Sequence, residues 1–285
     1  MFNPTDHAAL SPTRVSKRAL LKREERLLLA PHMNKSYQPY LIPGKQVDVP
    51  TVSVHLGVRN TGTGASYSPE TFAVGTTSIT INNDKEASAT VDDRLELESV
   101  IDVANLLTKE IGYAHAHNID ATLIAHYSDV ASPLNLSVTG KITEQKLRDM
   151  EEQMDIALWP STDRFGVFYP TQKAAIHGMA EWRSQDFIGP GEALRISQKG
   201  ELPKMMLSWV PMWTTQCPSD TTVVSGQTSR IAFFWHKDAI ALCMEKEHQV
   251  EKRRTPRAFS WDYVSRTIFA DKVMRADHIG YIASL

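Results

Sequence analysis

The stretch from Ile231 to Ile282 constrains the fold of this 285-residue chain more than any other part of it. Ile231-Ala232-Phe233-Phe234-Trp235-His236 reads as an apolar strand, and Lys237 with Asp238 reads as the start of a helix. A charged segment then crosses Pro256. Two closing strands follow, with a turn expected at Ala270-Asp271 and Val273-Met274-Arg275-Ala276-Asp277-His278-Ile279-Gly280-Tyr281-Ile282 after it. Strand, helix and strands in this order place the chain in the α+β class.

Composition supports a sizeable core, since 42% of the residues are hydrophobic. Lys and Arg total 31 against 33 Asp and Glu, a formal net charge of -2, so no bulk field marks a nucleic-acid binder. Any DNA contact must be local. Cys217 and Cys243 are the only cysteines, with no CxxC spacing, which argues against a disulfide framework or a thiolate zinc site and for synthesis in a reducing cytosol. The start lacks an apolar signal core, and no run approaches the ~20 apolar residues of a membrane span. No membrane partner is expected.

Five prolines (Pro4, Pro12, Pro31, Pro39 and Pro43) punctuate the start of the chain, which reads as an arm with little core of its own. Within it Val15, Ala19, Leu20, Leu27 and Leu28 form one helical stripe. Arg14, Lys17, Arg18, Lys22, Arg23 and Arg26 cover the rest as a solvated face. Period-two segments at Val47 to Val49, Val52 to Val58, Ser78 to Ile81 and Ala87 to Val91 predict strands. Between them Asn60-Thr61-Gly62-Thr63-Gly64-Ala65-Ser66-Tyr67-Ser68-Pro69 is turn material, so the region reads as a long projecting β-hairpin. Isolated hairpins are marginal in water, so such an arm needs a surface to lie on.

From Leu95 to Tyr127 three-four spacing predicts one helix of about 30 residues, reaching about 45 Å, with Asp92 and Asp93 at its start. A mixed α/β section follows from Ile142 to Glu247. It holds a helix from Thr143 to Ala157, a buried strand from Asp163 ended by Pro170, and a helix from Thr171 to Trp182 capped by Thr171. The segment from Gly189 to Gln216 reads as irregular loop with short strands.

Sites for chemistry are sparse. His115, His117 and His126 offer imidazoles for a metal-dependent hydrolase, but residues 115 and 117 lie about 200° apart on a helix and cannot share an ion. Gly62-Thr63-Gly64 and Gly189-Pro190-Gly191 complete no phosphate-binding motif, and no nucleophile elbow is present. The acidic positions Glu96, Glu98, Glu151, Glu152 and Asp155 suit solvated helix faces. The mixed-sign run Glu245 to Arg254 suits lateral ion pairing between subunits. The tryptophans at 159, 182, 209, 213, 235 and 261, with Met205 and Met206, read as core or interface anchors. No cofactor, catalytic residue or metal ligand is assigned.

Three places carry a family resemblance. They are Thr90-Val91-Asp92-Asp93-Arg94-Leu95-Glu96-Leu97-Glu98-Ser99 leading to Ala121-Thr122-Leu123-Ile124, the strand Asp163 to Pro170 with its helix, and the closing Phe233, Trp235 to Ala239 and Val273 to Asp277. In this order they resemble the major capsid proteins of tailed double-stranded DNA phages, most of all those of short-tailed phages. The resemblance covers essentially the whole chain. It implies an α+β, HK97-like fold: N-terminal arm 1–44, extended hairpin loop 45–93, peripheral domain 94–140 with the long spine helix, axial domain 141–248, and closing peripheral strands 249–285.

It further implies copies joined as pentamers and hexamers in an icosahedral virion shell, made in the host cytoplasm and enclosing DNA that is contacted weakly. A scaffolding protein, a portal and decoration proteins are the implied partners. The start at Met1, without a long coiled-coil segment, favours a separate scaffold. Arg59 and Tyr67 in the hairpin and Arg253 and Arg254 before the last strands are the candidate inter-subunit contacts. No crosslink is implied, because Lys45, Lys85, Asn60 and Asn82 match no family pattern one by one. A nanocompartment shell of the encapsulin type is the nearest rival.

Overall fold

A computed structural model describes residues 27–41, 46–52, 74–99, 102–179, 191 and 207–285, the last range without 223, 225, 248 and 257. The basic helical stripe at 15–28, the hairpin tip with Arg59 and Tyr67, and the loop with Trp182, Met205 and Met206 fall wholly or largely outside them.

The central element is β8 (Ser229–His236), every residue of which is buried except Arg230. Its alternate side chains enter two different cores. Phe233 and Trp235 face one, and Ala232 and Phe234 the other, which is why the segment shows no polar alternation. Around it runs a six-stranded sheet in the order β4 (Asn135–Ser137), β12 (Ile279–Ser284), β8, β5 (Arg164–Phe168) and β6 (Val210–Trp213), with the short β7 (Ser219–Asp220) also on β8.

One face of this sheet is covered by two helices, α3 (Glu144–Ile156), which inserts Leu147, Met150 and Met154, and α4 (Pro170–His177), which inserts Ile176. Thr143 caps α3 by accepting the Lys146 N–H, as its sequence predicts. The cap of α4 is different from the expected Thr171. Pro170 occupies the first helical position, and the Gln172 side chain accepts the Tyr169 N–H at 2.9 Å.

The second sheet has four strands, with β3 (Asn83–Asp92) and β10 (Val250–Thr255) flanking the long β11 (Ser260–Val273), and β9 (Ile240–Lys246) pairing its far half. β1 (Val47–Val52) and β2 (Val74–Ile79) form a separate antiparallel pair, in register from Val47 opposite Ile79 to Val52 opposite Val74. This is the base of the expected hairpin. Its root is fixed by a small cluster of Val47 and Ile79 with Ala241, Cys243 and Ala270.

Three expectations are corrected. The predicted single helix is two: α1 (Asp93–Glu98) and α2 (Val103–Ala125), interrupted where Ser99 is extended and Asp102 starts a new cap by accepting the Asn105 N–H at 3.0 Å. The short Asp102 side chain binds a backbone N–H of the turn that follows it, which favours a helix start there over a helix interior. α2 therefore spans about 34 Å. The helix expected from Lys237 is a three-residue 3-10 turn. After it β9 buries Ile240 and Leu242 on one side and Ala241 and Cys243 on the other. A short apolar run behind a capping residue fits either element, and burial on both faces decides for the strand. The turn expected at Ala270-Asp271 lies inside β11, which carries an irregularity between Ile268 and Phe269 instead. The chain reverses at 274–278, through a 3-10 turn at Ala276–His278.

Candidate inter-subunit surfaces

The arm root is fastened from the spine. Asp120, on α2, is almost fully buried and accepts the N–H groups of Leu28 at 2.7 Å and Leu29 at 3.2 Å. Burial pushes its carboxyl upward, against the downward pull of these backbone donors. Leu29, Ala30 and Met33 then enter the main core beside Ile119, Leu123 and Ile124 of α2. Farther on, Asn34 makes a parallel bridge to Ala241: its N–H reaches the Ile240 carbonyl at 3.0 Å, and its carbonyl accepts the Leu242 N–H at 2.9 Å. Sequence reading missed Asp120. The available signal was a charge on the apolar stripe of Ala116, Ile119 and Leu123.

The histidines do not converge. His115 is buried, with Nδ1 at 3.0 Å from the Thr267 hydroxyl on β11, and His117 is half-buried near Asp120. His126, past the end of α2, lies between two carboxylates: Nδ1 to Asp129 at 2.8 Å and Nε2 to Asp271 at 2.5 Å. Among the described residues no three His, Cys, Asp or Glu side chains form a metal-binding group.

Asp271 also accepts from the Asn83 amide, and its backbone N–H donates to the Asn82 side chain at 3.4 Å. The end of the spine, the far half of β11 and the foot of β3 thus meet in one polar knot beside the hairpin base. Burial draws the His126 imidazole downward, but the hydrogen bonds that the protonated ring donates to Asp271 and Asp129 outweigh it and raise it above its ordinary value of 6.5. A raised imidazole stabilises the fold fully below the unfolded value and loses that contribution as pH rises through the folded one. Thermal melts of the isolated subunit are therefore expected to decline as pH climbs past neutrality, and His126→Gln to flatten that decline. A decline of the same size in the variant would assign it to other groups.

On β10, adjacent residues face opposite sides of the sheet. Arg254 reaches Asp93 at 2.9 Å and Lys252 reaches Glu96 at 2.6 Å, both on α1. The same cations stand over aromatic rings, Lys252 at 4.3 Å and Arg254 at 5.3 Å from Trp261. Arg253 turns to the other face, opposite Asp262 in the register. Of the candidate contacts, Arg254 is thus engaged within its own chain, Arg253 is exposed, and Arg59 and Tyr67 lie outside the described residues. Of the charged run before the last strands, Lys252 and Arg254 pair with α1, and Lys246 stands 3.9 Å from Glu251 within the run.

The remaining anchors behave as core. Trp159, Trp209 and Trp235 are buried, and Trp213 is half exposed under the Lys173 ammonium at 4.4 Å. Both thiols are buried. Burial pushes Cys217 up to about 12 and raises Cys243 as well.

No protein-family model matches the chain, and no curated protein does. Solved structures do. A structure from Mycobacterium phage Che8 superposes with a TM-score of 0.76 at 16% identity, covering 95% of this chain and 96% of its own. The capsid of cyanophage P-SCSP1u gives 0.75 at 16% identity, with 97% and 94% covered. The capsid of a native GTA particle gives 0.68 at 13% identity, with 97% and 96% covered. At such identities the likeness is one of fold, and it runs the full length of both partners. From the arm root through the hairpin base and spine to the closing strand, the chain has the HK97-like fold of phage capsid subunits.

Proposed function

We propose that the chain is a major capsid protein, a structural rather than catalytic subunit whose copies join as pentamers and hexamers into an icosahedral shell around phage double-stranded DNA. The observation that carries this reading is the end-to-end likeness to capsid structures, 97% of this chain against 94% of the other for the cyanophage capsid. Two features of the subunit support it. The β1 and β2 pair is a separate two-stranded sheet with Val74 exposed, a poor structure for a lone subunit. The arm root is also held by backbone bonds to one buried carboxylate, as suits a segment that continues onto a neighbour.

On this reading the four-stranded sheet with α2 is the peripheral part and the six-stranded sheet with α3 and α4 the axial part, an assignment that takes β4 and β12 out of the peripheral bounds 94–140 and 249–285 and β9 out of the axial bounds 141–248. Arg59 and Tyr67 touch neighbours through the hairpin, and Arg253 does so from the open face of β10. A scaffolding protein, a portal and decoration proteins act on the assembling shell, which is made in the host cytoplasm and ends in the virion.

Size exclusion and negative-stain imaging of the expressed protein, with and without scaffold, test the reading. Closed shells or rings of five or six are expected, with deletion of residues 60 to 68 leaving a soluble subunit that assembles poorly. Wild-type chains that stay monomeric throughout would overturn it, and normal shells from the deletion would overturn the role of the hairpin.

A further inference from the structure

The turn joining β10 to β11 ends on a phenylalanine in the left-handed region, Phe259, with φ 47° and 70% of its surface exposed. Left-handed backbone is unfavourable for any residue with a Cβ, and an exposed ring recovers nothing from burial. The Phe259 carbonyl accepts the Asp93 N–H at 2.9 Å, which sets this turn against the first turn of α1. One helical turn farther along, Leu97 is 85% exposed, on the side of α1 away from buried Leu95. Two large apolar side chains thus stand at one corner of the four-stranded sheet.

Among the described residues, three ion pairs beside them are closed within the chain. Arg94 pairs with Glu98 at 2.7 Å, Arg254 with Asp93 at 2.9 Å and Lys252 with Glu96 at 2.6 Å. A strongly charged partner finds little in these three pairs to select, whereas an apolar knob framed by closed ion pairs can meet its own copy without repulsion.

We propose that Leu97 and Phe259 form a contact between copies of this chain, a knob buried against a neighbouring subunit on assembly. The inference rests on the shell reading and adds to it a specific surface outside the hairpin and the arm.

The test is a double variant, Leu97→Asp with Phe259→Asn, the asparagine chosen because it tolerates left-handed backbone. The lowest protein concentration that yields shells is expected to rise about tenfold or more, from the apolar area no longer buried. The melting of the isolated subunit is expected to stay unchanged. An unchanged assembly threshold overturns the inference while leaving the shell reading intact. Lowered melting of the isolated subunit overturns it too, by assigning the corner to the subunit's own fold. Wild-type chains that never assemble overturn the shell reading and this inference with it.

Discussion

Phe234→Ala is expected to cost the chain about 3–5 kcal/mol and to divert it into aggregate. The ring is fully buried in β8, edge-on to Phe168 at 5.5 Å and to Trp209 at 5.2 Å between centroids. Gly166 on β5 lies opposite in the register and makes room for it: a Cβ there would stand 2.9 Å from Phe234 ring carbons and 3.0 Å from Trp209. Gly166→Ala alone is therefore expected to cost about 1–3 kcal/mol through overpacking. Combined with Phe234→Ala it should cost less than the sum, because the ring it collides with is gone. Denaturant unfolding of the four forms measures the coupling. Strictly additive costs would mean that the glycine is not reserved for that ring.

Asp120→Ala is expected to cost about 2–3 kcal/mol, since the Leu28 and Leu29 N–H groups lose their acceptor in a buried place. Its effect on assembly should exceed its effect on melting, because the arm root is what comes loose. Hydrogen exchange at the two amides reads this directly, and faster exchange there than in α2 is expected. Asp120→Asn keeps one oxygen for one of the two donors and should fall between. Protection of both amides equal to wild type in the alanine variant would remove Asp120 as the fastening.

Much of this architecture was legible in the sequence, and particular residues show why. The unbroken apolar run at Ile231 to Trp235 requires cover on both faces, and the two cores supply it. Thr143 and the three-four spacing behind it set α3 almost to the residue. Two of the failures share one cause, the ambiguity of polar residues. Asp238 and Asp271 have the composition of a helix start and a turn, yet one accepts from Asn34 while its backbone N–H caps onto His236, and the other is a buried acceptor for His126 and Asn83. Only partners distant in the chain reveal that.

The inter-subunit surface was less legible for the same reason. Arg254 and Lys252 have the composition of free surface charge until α1 folds against them. Leu97 fits the apolar stripe of a continuous spine, and it stands outside once the helix breaks after Glu98. Exposed knobs of this kind arise where a local break overrides a periodic pattern, which no count of periodicity detects.

The two buried thiols have a practical corollary for labelling chemistry. Cys217 and Cys243 are the only cysteines in the chain, and both are enclosed and held in the unreactive thiol form. A cysteine installed at an exposed helical position, such as Glu152 on α3, would be the sole thiolate accessible to alkylating dyes or gold, with no need to remove the native pair. Every copy would then carry its label at one address, and on the proposed shell reading a lattice of labels would report how the copies are arranged.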